Sequence, residues 1–349
     1  MTINELNILK NTFEKNNRIF RMYSLYLNEF STMIGKELVD EISNECGSDE
    51  RNTFVALLSE MLGVNSLDNE DDEAFEMEYI SPSVTHLTQD MYLNDLYLKN
   101  IKVPKAKYGE WEFTELEYKA YEGFIWNEIQ AFDDLKEIPS LAFFSEPFKF
   151  PAVLQNGREW MAIKPSEIET MKEPLNLVSG NVVTLGLGMG YFTYMASEKA
   201  NVKSVTVIER DEKVIKLFSE YILPQFPNKD KVKIVNIDAF DYLDSLTALS
   251  NVDHIFCDIW HDASDGLPLY LKIKNYEDKL KNIEFSYWIE ESLLSEIRTM
   301  IFRTAYSQFK EQGSINIAGK HIESIEELYK LLSSESLRNI AKKMKRADK

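Results

Sequence analysis

The chain has 349 residues, and its 58 acidic and 39 basic side chains give it a formal net charge of −19. This length predicts two domains, and the charge argues against a nucleic acid partner because most of such a surface repels a polyanion. No apolar run reaches the roughly eighteen residues of a membrane span, and the N-terminus lacks the apolar core of a secretory leader. Two distant cysteines, Cys46 and Cys257, suit the reducing cytoplasm, where we expect the protein, and four histidines without metal-type spacing predict no metal site.

The first part of the chain shows mainly helical periodicity. Apolar side chains recur at steps of three and four in residues 1–62, and helical character returns over residues 87–98. Between them, the strongly acidic stretch 68–78 lacks this periodicity and is interpreted as a solvated, mobile connection. Residues 1–140 are therefore predicted to form a mostly helical N-terminal domain.

A further helix is predicted near the end of this domain. Thr114 and Glu117 fit a capping box, in which two side chains bond free backbone N–H groups at a helix start. Apolar side chains follow at helical steps, and they are Tyr118, Tyr121, Ile125, Ile129 and Phe132. Their expected role is core packing.

Short β-type runs replace the helical pattern after about residue 145. Residues 148–154 and 158–164 flank Asn156-Gly157, which is a strong hairpin signal. Ser166 and Glu169 then fit a second capping box, which predicts a short helix. The hairpin is expected to form a wall of an active site, with three candidate side chains at its base: Arg158, Glu159 and Trp160.

A strand, a glycine turn and a helix are predicted in succession between residues 182 and 199. Residues 182–185 have the composition of a buried strand, and three glycines follow at alternate positions: Gly186, Gly188 and Gly190. Such a turn presents backbone N–H groups to a nucleotide. A dinucleotide fold of the G-x-G-x-x-G type would require glycine at position 191, where this chain has Tyr191.

Acidic side chains stand at the ends of the strands that follow. Three more strands are predicted, over residues 204–208, 232–236 and 253–258. Glu209 ends the first of them, and an acid at this place can accept the hydroxyl protons of a ribose. Asp238 follows the second strand, and Asp258 ends the third, at the edge of the sheet where chemistry is expected.

The C-terminal part is predicted to be largely helical. Helices are predicted over 269–280, 293–309 and 324–344, with a fifth strand over 283–289 and one short strand candidate at 314–318. Residues 141–349 are taken as the second domain, with the hairpin leading it and helices closing it.

This series of motifs resembles the S-adenosylmethionine-dependent methyltransferase superfamily, which has a Rossmann-like fold. The stretches VIERD at 207–211 and IDAFDYL at 237–243 are similar to its spermidine-synthase-like branch. The resemblance covers roughly residues 181–288. It implies an α/β fold with a mostly parallel sheet, preceded here by a helical N-terminal domain and a small β-hairpin.

The resemblance also implies the cofactor S-adenosyl-L-methionine and the residues that bind it. In these families an acid after the third strand accepts from the adenine amino group, and the residue beside it lies against the ring. The implied cofactor-binding residues are Gly186, Gly188, Gly190, Tyr191, Glu209, Arg210, Asp238, Ala239, Phe240 and Asp258. Two features depart from the pattern: Thr184 stands where methyltransferases often have an acid, and the polyamine signature of spermidine synthases is missing.

Methyl transfer to an unidentified acceptor, such as a small molecule, is the predicted function. Asp258 is the first candidate for the base that takes the acceptor's proton, followed by His261 and Asp262. Aminopropyl transfer from decarboxylated S-adenosylmethionine is an alternative; a non-catalytic adenosyl-binding or scaffold protein is another. Spermidine synthases bind a diamine with acids at both ends, whereas the loop after the fourth strand has an aromatic and a titratable ring, Trp260 and His261. This difference favours methyl transfer. A homodimer is a possible assembly, and no membrane partner is expected.

Overall fold

The structure, a computed structural model, describes residues 1–247 and 250–344. The chain forms two compact units that interleave along the sequence. The first unit contains Met1–Thr88, Tyr118–Phe148 and Glu291–Ile340; the second contains Gln89–Glu117, Lys149–Glu290 and the residues from Ala341 on. The domains predicted from sequence, 1–140 and 141–349, are by contrast continuous stretches.

Helices account for much of the described chain. They are Ile3–Leu25 (α1), Lys36–Cys46 (α2), Glu50–Met61 (α3), Glu70–Phe75 (α4), Ser81–Ser83 (α5), Asp90–Leu93 (α6), Leu96–Asn100 (α7), Pro165–Leu177 (α8), Tyr191–Glu198 (α9), Glu212–Leu217 (α10), Ala239–Ser245 (α11), Ala263–Glu277 (α12), Glu290–Gln312 (α13), Ile325–Leu332 (α14) and Ser334–Ala341 (α15). Short π-helical turns continue α1, α4 and α10 over Tyr26–Phe30, Glu76–Ile80 and Phe218–Ile222, and 3₁₀ turns occupy Leu223–Gln225 and Lys229–Lys231.

The strands lie in separate sheets. They are Val84–His86 (β1), Ala106–Tyr108 (β2), Trp111–Tyr118 (β3), Phe124–Ala131 (β4), Glu137–Phe143 (β5), Phe148–Gln155 (β6), Arg158–Ala162 (β7), Gly180–Leu185 (β8), Val202–Glu209 (β9), Val232–Asn236 (β10), His254–Cys257 (β11), Glu284–Tyr287 (β12), Ile315–Ile317 (β13) and Lys320–Ile322 (β14). Their orders are β1-β5-β4, β2-β3-β6-β7, β10-β9-β8-β11-β12 and β13-β14.

The second unit contains a five-stranded parallel sheet with strands and helices alternating along the chain from β8 to β12. From the central strand β8 the chain proceeds outward to β9 and β10, then crosses to β11 and β12 on the other side. This is the doubly wound order of Rossmann-like folds, and it confirms the predicted α/β class. Ligands of such sheets bind at the carboxyl ends of the strands where the order reverses, here between β8 and β11.

The predicted hairpin is confirmed, and it belongs to a larger sheet. β6 and β7 pair antiparallel around Asn156-Gly157, and both turn residues have positive φ, at 53° and 78°. Such turns match the twist of the strands that they join. The predicted capping box at Ser166 is wrong, because α8 begins one residue earlier, at Pro165, with Lys164 as an N-cap that makes no side-chain bond.

The helix predicted after Thr114 is wrong. The chain there forms the strands β3 and β4 instead, with Tyr121 at a φ of 59° between them. Trp111 and Phe113 are buried, and Glu112 between them is only partly buried. This alternation has the period of a strand, whereas the apolar side chains three and four residues apart suggested a helix.

The acidic stretch 68–78 is helical, so its interpretation as a mobile connection is wrong. The Asn69 side chain accepts from the backbone N–H groups of Asp71 and Asp72 and starts α4. Phe75 is buried in the core of the first unit, and Arg18 on α1 pairs with Asp72 at 2.8 Å. The acidic first turn also suits the positive end of the helix dipole.

Two other C-terminal predictions have clear outcomes. The strand candidate at 314–318 is confirmed as β13, which pairs with β14 and not with the parallel sheet. The helix predicted over 324–344 is two helices, α14 and α15. None of the helices within residues 1–247 and 250–344 has the length and apolar composition that crossing a membrane requires.

A buried ion pair lies in the first unit. Arg298 on α13 is 1% exposed and donates to the carboxylate of Glu137 on β5. Its other N–H groups donate to the Leu332 carbonyl and the Ser334 hydroxyl, each at 2.8 Å. The guanidinium thus joins a strand to the end of α14 and the start of α15.

We predict that Arg298→Met lowers the free energy of unfolding by about 3–5 kcal/mol, because it leaves the Glu137 carboxylate buried without its cation. Denaturant unfolding followed by circular dichroism measures the change. Lys36→Met is the control, since its ion pair with Glu146 is exposed, and no measurable change is expected from it. Equal stability of the Arg298 variant and the wild type would contradict the prediction.

Candidate functional site

A cavity of about 410 Å³ lies in the second unit, within the size range of small-molecule sites. Its lining includes the segments that follow β8, β9, β10 and β11, so it lies at the carboxyl ends of the parallel strands. Residues of the hairpin and of α8 complete it. This is the position in which the strand order predicts a ligand.

Backbone and side-chain atoms from other segments lie close to the glycine loop, residues 186–190, at Gly186 and Gly188. Gly186 has a φ of 98°, and a Cβ built there would lie 2.0 Å from the carbonyl oxygen of Asp258. A Cβ on Gly188 would lie 2.3 Å from the Met161 sulfur, which accepts from the Met189 N–H at 3.2 Å. At the position where an acid is missing, the buried Thr184 hydroxyl donates to the Gly186 carbonyl at 3.1 Å.

Glu209 links the end of β9 to this loop. Its two carboxylate oxygens accept from the backbone N–H of Leu187 at 3.3 Å and of Asp211 at 2.8 Å. Burial raises the pKa of Glu209, and these hydrogen bonds oppose the rise. The carboxylate lines the cavity, so its remaining lone pairs are available to a ligand's hydroxyl groups.

Four predicted residues from the next two loops also line the cavity: Arg210, Asp238, Ala239 and Phe240. Asp238 is the N-cap of α11 and accepts from the Phe240 N–H at 2.8 Å. Arg210 is 81% exposed and lies 4.0 Å from the Asp238 carboxylate. The ammonium of Lys272 lies 3.3 Å from the centre of the Phe240 ring, so one ring of this part of the cavity is already in contact with a cation.

Asp258 and Glu167 form a pair of interacting carboxyl groups in the lining. Burial raises the pKa of Asp258 to about 7. Burial also raises the pKa of Glu167 well above its usual value, and the charge of Asp258 raises it further. A carboxyl that titrates near neutral pH is suited to general acid–base work.

The sequence analysis missed Glu167, although a signal was present. The side chain lies in the first turn of α8, on the same face as three buried residues: Thr170, Met171 and Pro174. Their spacing of three, four and seven marks the buried stripe of a helix. Burying an acid on such a stripe costs free energy, which suggests a functional role. From the sequence, this segment was interpreted only as the start of a helix.

Tryptophans form much of the wall. Four of the five tryptophans line the cavity, namely Trp111, Trp160, Trp260 and Trp288. The Trp160 ring stacks on the His261 ring at 5.6 Å and meets the Trp111 ring edge-on at 5.7 Å. The predicted hairpin wall thus enters the lining through Trp160, whereas Arg158 and Glu159 are absent from it, and Glu159 pairs with Lys164.

Three further predicted site residues, Gly190, Tyr191 and Asp262, are not among those lining the cavity. Gly190 is the N-cap of α9, and the buried Tyr191 donates its hydroxyl to Asp95 at 2.9 Å. Asp262 is the N-cap of α12, where hydrogen bonds from the Ser264 hydroxyl and from backbone N–H groups lower its pKa. Such a carboxylate is a poor base, because its lone pairs already hold the helix start. His261 does line the cavity.

No group of three or more His, Cys, Asp or Glu side chains that could hold a metal ion occurs in the part of the chain that the structure describes.

Comparisons with known proteins give only low similarity. No protein-family model matches the chain, and no curated protein matches it. Among solved structures, a spermidine synthase from Thermotoga maritima matches 39% of this chain and 48% of its own, with 15% identity and a TM-score of 0.31.

Two further solved structures are similar over shorter stretches. A conserved hypothetical protein from Streptococcus pyogenes has 18% identity and a TM-score of 0.25, over 31% of this chain and 62% of its own. A Trypanosoma brucei PRMT1 enzyme–prozyme heterotetrameric complex with AdoHcy has 18% identity and a TM-score of 0.25, over 34% of this chain and 37% of its own. The chain thus spans between 37% and 62% of the length of these structures. Similarity at this level assigns no family or activity to it.

We predict that the two interacting carboxyl groups destabilise the folded protein as pH rises. The pKa values of both groups are raised in the folded state, so the folded protein keeps protons that the unfolded chain releases. The free energy of unfolding therefore falls between about pH 4 and the Asp258 pKa of about 7. Glu167→Gln removes one of these acids. It should therefore raise the melting temperature at pH 8 by about 2–5 °C, and by less at pH 5.

Differential scanning fluorimetry at both pH values measures this difference. Glu173→Gln, at an exposed position of the same helix, is the matched control and should change neither value. A loss of stability at pH 8, or an equal gain at both pH values, would contradict the assignment of Glu167 as a destabilising acid.

Proposed function

We propose that this protein binds S-adenosyl-L-methionine in the cavity between β8 and β11 and transfers its methyl group to an acceptor beside Asp258. The proposal rests on residues that are distant in the sequence and line the same cavity. The glycine loop, Glu209, Asp238 and Asp258 are separated by up to 72 positions in the sequence, yet all line one cavity at the point where the strand order reverses.

The residues present fit an adenosyl group. The close approach at Gly186 leaves no room for a side chain, and without side chains at Gly186 and Gly188 a ligand can lie directly against the backbone of the loop. Glu209 would hold the ribose hydroxyl groups, and Asp238 with Phe240 would hold the adenine. The predicted binding residues Gly190 and Tyr191 would instead act indirectly, by holding the loop and α9.

Asp258 is suited to receive the acceptor's proton. When bound, S-adenosylmethionine supplies an electrophilic methyl group, and a nitrogen or oxygen nucleophile that takes this group must lose a proton. Because burial raises the pKa of Asp258 to about 7, its carboxylate is a stronger base than an ordinary aspartate and still forms at neutral pH.

Aminopropyl transfer from decarboxylated S-adenosylmethionine is the second candidate, and the charge of the lining favours it. Five carboxyl groups line the cavity: Glu167, Glu209, Asp211, Asp238 and Asp258. Arg210 is the one Lys or Arg side chain among the described lining residues, and it is 81% exposed. The decarboxylated ligand keeps its ammonium group and lacks the carboxylate, so it suits this charge.

We predict that Glu209→Ala weakens the binding of S-adenosylhomocysteine by about 1–3 kcal/mol, because the ribose hydroxyl groups lose their acceptor. Isothermal titration calorimetry measures the affinity. Glu212→Ala, at an exposed position on α10, is the control and should bind like the wild type. Unchanged affinity in the Glu209 variant would remove this residue from the site. No binding to the wild type would favour the non-catalytic scaffold.

We predict that Asp258→Asn lowers methyl transfer by about 10²–10⁴-fold while S-adenosylhomocysteine still binds, because a base is lost and not the cofactor site. The assay follows label from methyl-tritiated S-adenosylmethionine into the small molecules of a cell extract. In the wild type the rate should rise with pH through about 7, as Asp258 loses its proton. Release of methylthioadenosine from the decarboxylated cofactor, without methyl transfer, would decide for aminopropyl transfer.

A further inference from the structure

Glu167 is a buried acid that forms no ion pair within the part of the chain that the structure describes, although the charge of Lys164 lowers its pKa. The residue is 5% exposed and lines the cavity, and its Oε1 has no hydrogen-bond partner among the described residues. The nearest cation along α8, Lys164, already pairs with Glu159. A buried carboxyl in this state is costly for the free protein, and a ligand that donates hydrogen bonds and positive charge to it would remove the cost.

Asp258 also favours the binding of a cation in this cavity. It shares the cavity with Glu167, and the two carboxyl groups repel each other when both are ionised. A positive charge between them would favour the ionised form of each. An ammonium group supplies this charge together with N–H donors, and after losing a proton it is also a nucleophile.

Another part of the lining is aromatic. Trp160 is 45% exposed, and its ring stacks on that of His261, three residues after Asp258. Trp111 meets Trp160 edge-on, and its own N–H is already bonded to Asp211 at 3.0 Å. The wall next to the carboxyl pair thus offers ring faces, on which a flat ring stacks well.

The remaining acids of the lining are already engaged, so they do not repeat the arrangement at Glu167. Glu209 accepts from two backbone N–H groups. Asp211 accepts from the Trp111 ring, and Asp238 caps α11. The site therefore offers one carboxyl with an unpartnered oxygen together with aromatic surface, whereas an aliphatic diamine needs an acid at both ends.

We propose that the acceptor is a small molecule with a single alkylammonium group joined by a short chain to a planar ring, and that Glu167 binds the ammonium group while Trp160 packs on the ring. This inference rests on the proposed function, since it concerns the acceptor half of the same site. It makes Glu167 a substrate-binding residue and leaves the proton transfer to Asp258.

The test uses four matched probes, namely 2-phenylethylamine, 2-cyclohexylethylamine, 2-phenylethanol and 1,4-diaminobutane. They are titrated into the full chain saturated with S-adenosylhomocysteine, and binding is measured by calorimetry. We expect 2-phenylethylamine to bind about tenfold more tightly than each of the others, because it alone has both the ammonium group and the flat ring.

The variants separate the two contacts. Glu167→Gln should weaken 2-phenylethylamine about tenfold and leave 2-phenylethanol unchanged. Trp160→Leu should remove the preference for the phenyl over the cyclohexyl ring. Glu173→Gln is the control and should leave all four affinities unchanged, and the affinity for S-adenosylhomocysteine should be the same in all three variants.

The inference is overturned if 1,4-diaminobutane binds as tightly as 2-phenylethylamine, if Glu167→Gln leaves the amine affinity unchanged, or if no probe binds. A failure of the cofactor assignment has a different signature, because S-adenosylhomocysteine then fails to bind the wild type. In that case the same titrations on the free chain still test the carboxyl and ring contacts, which belong to the protein alone.

Discussion

The close approach of two loops at the centre of the parallel sheet is the constraint on which the site depends. Gly186 lacks a Cβ, and this lets the end of β8 lie against the Asp258 carbonyl, which a methyl group would meet at 2.0 Å. Backbone hydrogen bonds of 2.9 Å from Gly186 to Ile208 and from Asp258 to Leu185 hold the three strand ends together. Because these ends are fixed side by side, residues of the glycine loop, Glu209 and Asp258 all line one cavity.

Electrostatics give this cavity its chemical character. Desolvated carboxyl groups disfavour their own ionisation, so they lower the stability of the free protein at neutral pH. Proteins retain such groups mainly where function requires them. The pair of Glu167 and Asp258 is of this kind, in contrast to the buried Glu137, whose charge is matched by Arg298. The first pair lines the candidate site, and the second is a structural ion pair.

The parallel sheet was predictable because its signals are local. Each buried strand is a short apolar run, and Glu209, Asp238 and Asp258 follow three of those runs directly. The errors arose where partners distant in sequence decide the structure. Phe75 turns an acidic stretch into a packed helix, and Trp111 with Phe113 sets a strand period in a segment that also fits a helix. Glu167 was missed for the same reason, since its partner Asp258 lies 91 positions away.

A crystal structure of the chain soaked with S-adenosylhomocysteine tests the central claim most directly. The account predicts density in the cavity between β8 and β11, with both ribose hydroxyl groups within hydrogen-bond distance of the Glu209 carboxylate and the adenine against Phe240. Density for the ligand at another place, or a filled cavity in which Glu209 bonds only the Leu187 and Asp211 N–H groups, would contradict it.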